Sequence, residues 1–74
     1  MTLKEKKRLR KRLIELMIEQ SFNRGFECFV VHNRIFVYNG EKPTPEMFEI
    51  ITMNAFKDLM KEEQTILNIE DLGV

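Results

Sequence analysis

Seventy-four residues, 43% hydrophobic and 32% charged, make one domain at most and a globular chain rather than a disordered or membrane one. A core this small usually needs a staple. One cysteine, Cys28, cannot close an intrachain disulfide and one histidine, His32, leaves too few soft ligands for a structural zinc, so a second subunit or another macromolecule is the expected support.

From Leu3 to Phe22 there is no Gly or Pro, and Leu, Lys, Arg and Glu dominate. These are strong helix formers, with Thr2 as the N-cap and either Asn23 or Gly25 as the left-handed closing residue. At 100° per residue Leu9, Leu13, Leu16 and Met17 share one face, while Ile14, Ile18 and Phe22 carry the apolar arc past half the cylinder. The helix thus divides into a basic arm, residues 1–12, expected to reach or pass the rim, and an apolar body, residues 13–24, that needs cover on more than one side.

Residues 26–39 are rich in Phe, Val, Ile and Tyr around the polar trio His32, Asn33, Arg34, which predicts a β-hairpin. A tight turn centred on His32-Asn33 or on Asn33-Arg34 fits, because His and Asn tolerate positive φ. Both faces come out apolar, Phe26, Cys28 and Val30 on one and Phe29 and Val31 on the other, and a two-stranded ribbon needs cover.

Thr44, Pro45 and Glu46 mark the start of a second helix, residues 44–64. Phe48, Ile51, Thr52, Ala55, Phe56 and Leu59 form its core stripe. Ile50, Met53 and Met60 fall on the far side, as a second interface or a core that wraps the helix. Residues 65–74 alternate apolar and polar; a short helix, an edge strand and an ordered arm all fit. The fold expected is α+β, a single small helix–β-hairpin–helix domain (αββα) with a short C-terminal element.

The zero net charge conceals a division. Residues 1–12 hold seven basic side chains against one acidic, a net of +6, and the other 62 residues hold five against eleven, a net of −6. A helix N-terminus already carries partial positive charge, so the basic cluster runs against local physics and repels itself at i,i+3 and i,i+4. Phosphates would supply a reason for it. The expected function is therefore a small non-enzymatic regulatory protein that binds nucleic acid, RNA ahead of DNA because no helix-turn-helix precedes the hairpin. Lys4, Lys7, Arg8, Lys11 and Arg12 are the candidate phosphate contacts, with Lys6, Arg10 and Arg34 secondary.

The competing expectation is a protein-binding inhibitor or adaptor that sequesters a partner enzyme or toxin. A homodimer is expected through the hairpin or the second helix, with Phe29, Phe36, Tyr38, Ile50, Met53 and Met60 as interface residues. A third option docks the +6 segment on the −6 body of another copy. Cys28 and His32, four apart, form at most a weak nucleophile–base or zinc pattern, Glu62 and Glu63 read as solvated surface, and the glycines stand too far apart for a phosphate loop. No catalytic residue, metal site or cofactor is expected. The absence of a membrane-length apolar run or a signal-peptide pattern makes a cytoplasmic location the expectation.

Overall fold

The computed structural model describes residues 1–32 and 35–72, with the backbone alone for residue 35. The order is α1 (Leu3–Asn23), β1 (Cys28–Val31), β2 (Ile35–Tyr38), α2 (Pro45–Glu63) and a 3-10 turn (Ile69–Leu72), the α+β arrangement expected. The start of α1 is set by Thr2, whose hydroxyl accepts from the Glu5 amide at 3.1 Å. Its end is a Schellman closure. Gly25, at φ 85°, lets its own amide reach the Phe22 carbonyl and the Phe26 amide reach that of Ser21.

The hairpin is antiparallel and pairs Cys28 with Tyr38 and Val31 with Ile35. Three residues therefore join the strands, where the sequence suggested two. His32, just after β1, takes φ 55°, in the left-handed region that His tolerates better than most residues. Asn33 and Arg34 lie outside the described residues. One face of the ribbon carries Cys28, Val30, Phe36 and Tyr38 towards the helices. The other leaves Phe29 48% exposed.

Pro45 opens α2 behind the Thr44 cap, whose hydroxyl accepts from the Met47 amide. Gln64 closes it in the left-handed conformation at φ 55°. Leu9, Leu13, Leu16 and Met17 of α1 meet Ile51, Ala55, Phe56 and Leu59 of α2, and Leu72 from the 3-10 turn completes the core. Each fully buried Leu or Ile contributes about 2–3 kcal/mol by removal of apolar surface from water. Phe48 stands at the edge of this core, with its ring centroid 6.2 Å from that of Tyr38 and 6.4 Å from that of Phe36. Phe36 and Tyr38 meet edge to face at 4.9 Å.

Several expectations change here. Met60 packs against the core, the second of the two options its position left open, and Phe36 packs against it from the inner face of the hairpin instead of facing out. Tyr38 is turned inward, its hydroxyl 3.0 Å from that of fully buried Ser21. The basic arm is not free beyond its first turns, since Leu9 is buried and the 3-10 turn packs beside it.

Candidate nucleic-acid interface

The seven basic residues of α1 divide by helical angle. Arg8 and Arg12 lie on the flank towards α2, which runs antiparallel to α1 and brings its C-terminal glutamates alongside. The Arg8 guanidinium donates to both carboxylate oxygens of Glu63, at 2.7 and 3.2 Å, and Arg12 donates to both of Glu62, at 2.6 and 2.9 Å. Such two-pronged pairs match a planar fork to a planar carboxylate. Arg12 also lies 3.5 Å from Glu15, one turn on. On the opposite flank Arg10 donates from Nε to the Leu72 carbonyl at 2.8 Å, tying α1 to the C-terminal turn.

The ion pairs show in the titration of their members. The Arg8 hydrogen bond and charge hold the Glu63 carboxyl below its ordinary value of 4.5, and Arg12 does the same for Glu62. Both arginines are pushed further up in turn, again chiefly by those hydrogen bonds. Glu62 and Glu63, expected as free solvated surface, are instead the internal counter-ions of the basic segment.

The lysines are placed differently. Lys4, Lys7 and Lys11, spaced i, i+3, i+7, share the face of α1 turned away from the core and are exposed. None forms an ion pair within 4 Å among the described residues. Lys6 is half-buried on the side of the Leu9 stripe. Arg34, the secondary candidate on the hairpin, lies outside the described residues. The lysine row continues along the same face into half-buried Ile14 and Ile18 and then Phe22, 53% exposed. A groove of about 170 Å³ lies between this face and the hairpin, lined by Lys11, Ile14, Glu15, Ile18 and Val30. That is below the size of ordinary small-molecule pockets.

The hairpin offers no row of stacking rings. Phe36 and Tyr38 are committed to the inner face, and Phe29 stands alone on the outer one. Cys28 and His32 do not meet as a pair: the thiol is buried while the left-handed turn leaves His32 exposed. Burial pushes the Cys28 thiol up, against a smaller opposing effect of the Ser21 hydrogen bond, so it is a poorer nucleophile than a free thiol. Ile50 and Met53 remain exposed on α2, as expected.

Ser21 escaped the sequence reading. Its only signal was a small polar residue inside the apolar half of α1, on the side from which the hairpin returns. No helix among the described residues is long and apolar enough to cross a membrane. Compared with protein-family models, with curated proteins and with solved structures, the chain matches none.

Proposed function

We propose that this is a small non-enzymatic regulatory protein that binds nucleic acid through the lysine face of α1, with RNA ahead of DNA. The observation that carries the reading is the segregation of the basic residues. Arg8, Arg10 and Arg12 each have an acceptor within the chain, whereas Lys4, Lys7 and Lys11 stand in one exposed row and form no ion pair within 4 Å among the described residues. Two helical turns of lysine are a suitable length to follow a phosphate backbone, where each contact adds affinity by counterion release without reading sequence. Arg8, Arg10 and Arg12 then act as positioning residues that hold the lysine row rigid against α2 and the C-terminal turn.

A mobility shift with generic single-stranded RNA and duplex DNA tests this. Three phosphate contacts per protomer give a slope of roughly −2 in log affinity against log salt for a single strand. Lys4→Glu/Lys7→Glu/Lys11→Glu abolishes the shift while the far-ultraviolet spectrum stays unchanged. No shift at low salt, or a shift indifferent to the triple variant, overturns the reading.

A second reading is favoured by Ile50 and Met53, which leave α2 with an exposed apolar pair that its own core does not use. It makes the protein an inhibitor or adaptor that sequesters a protein partner through that helix. Capture of a partner that survives nuclease treatment and the triple lysine variant, and is lost in Met53→Asp, selects it.

A further inference from the structure

The outer face of α1 has a second use, which engages Lys7 and Lys11 and so sets a second copy of the chain against phosphates for those two lysines. Lys4, Lys7, Lys11, Ile14 and Ile18 are spaced 3, 4, 3, 4, the a/d rhythm of a helix-pairing seam, and Phe22 extends the row one turn further. None of these six is in the core of the chain. Beside Ile14 and Ile18 the row opens into the groove bounded by Val30, so a helix laid along it would touch α1 and β1 together.

We propose that a second copy of this chain occupies the groove, α1 against α1 in antiparallel orientation, making a two-fold homodimer seam on Ile14, Ile18 and Phe22. Charge selects the occupant and the orientation. A parallel pair would set Lys4, Lys7 and Lys11 against their own copies, three like-charge layers in succession. An antiparallel pair centred near position 16 sets Ile14 against the partner's Ile18 and Lys11 against the partner's Phe22, whose exposed ring suits an ammonium and its aliphatic stem. Lys7 then lies at the far end of the partner helix. That end carries the negative pole of the dipole and has no basic residue in its last turn. Arg24, just past it, already donates to the Gln20 carbonyl, and the Ser21 and Phe22 carbonyls accept from the amides of the closing turn, so the lysine meets the negative pole of the dipole and not a row of open carbonyls. Lys7, which sits at the wrong pole of its own helix, thereby sits at the right pole of the other.

The seam relocates the dimer contact from the hairpin or α2, where the sequence suggested it, to α1. It also leaves the two Lys4 positions about 36 Å apart along the seam, from 24 residues at 1.5 Å each.

Sedimentation equilibrium on the full chain, with Ile18→Asp as the variant, reads the seam. The wild type is expected as a dimer, and Ile18→Asp as a monomer whose dissociation constant has risen on the order of 100-fold, with unchanged helicity. Lys4→Cys in a Cys28→Ala background, spin-labelled, keeps the inference testable if Ile18→Asp does not fold. An inter-label distance centred near 36 Å supports the antiparallel seam, and one below about 20 Å reports a parallel pair and overturns it. A wild type that is monomeric, or a dimer that survives Ile18→Asp and dissociates in Phe29→Asp or Met53→Asp, overturns it as well. None of these readouts involves nucleic acid, so failure of the seam and failure of the phosphate reading are separable.

Discussion

Leu72 and Ile66 are both aliphatic residues of the same polar-apolar tail, yet one has no exposed surface and the other is 94% exposed. What separates them is the 3-10 turn, which rolls Leu72 against α1 while Arg10 takes its carbonyl. Leu72→Ala should therefore lower stability by about 2–4 kcal/mol, the combined loss of transfer free energy and a residual cavity. Ile66→Ala should change it by less than about 0.5 kcal/mol. Urea denaturation of the two variants checks the contrast, and equal effects would mean that the tail is not docked as described. Neither outcome was legible in the chain, because alternation alone does not tell which apolar residue a turn delivers to the core. Ser21 makes the same point from the polar side. Its hydroxyl is tolerable at full burial because the Tyr38 hydroxyl, delivered by the hairpin, satisfies it.

The helices and strands themselves were much more legible. Thr2, Thr44 and Pro45 act at the cap and first-turn positions their chemistry predicts, and Gly25 provides the left-handed residue that stops α1. These signals are local, involving only neighbours within four residues, so no tertiary knowledge is needed to read them. The end of α2 is the less satisfied counterpart. Gln64 takes φ 55° although its Cβ makes that conformation costly, and the Thr65 amide reaches back to the Met60 carbonyl as a glycine closure would. Gln64→Gly is expected to stabilise the protein by about 0.5–1 kcal/mol, visible as a Tm rise of roughly 3–6 °C. A fall in Tm would show that the side chain contributes more than its backbone strain costs. The hairpin connection is one residue longer than the tight turn its polar trio suggests, since His and Asn permit positive φ without dictating how many residues the turn spans.

For the molecule as a whole, the charge division has an internal logic. Basic residues crowd the positive pole of α1, and Glu62 and Glu63 stand at the negative pole of α2, so both groups are placed against the dipoles of their own helices. Packed antiparallel, each end meets the sign it lacks, as the Arg8–Glu63 and Arg12–Glu62 pairs record. Both carboxyls are held below 4.5 by their arginines, so their contribution is complete above that value and is lost as pH falls through the depressed folded values. The Tm should accordingly drop as pH goes below about 4.5, and the Glu62→Gln/Glu63→Gln variant should show a shallower drop from a lower starting point. Parallel melting curves between pH 7 and pH 2.5 test this. An unchanged slope would show that the pairs contribute nothing at equilibrium, as many exposed pairs do.

By itself the sequence determined the class, the element order, the caps and the apolar stripes of both helices, because periodicity and capping are properties of neighbouring residues. It also showed that the neutral chain is two opposed halves. Only the tertiary structure decided how those halves are spent. Arg8, Arg10 and Arg12 lie within two turns of Lys4, Lys7 and Lys11 and are chemically alike in composition, but the antiparallel α2 and the C-terminal turn cover one side of α1 and leave the other open. Which cation finds an internal partner depends on what packs beside it, and that is fixed by contacts some fifty residues apart.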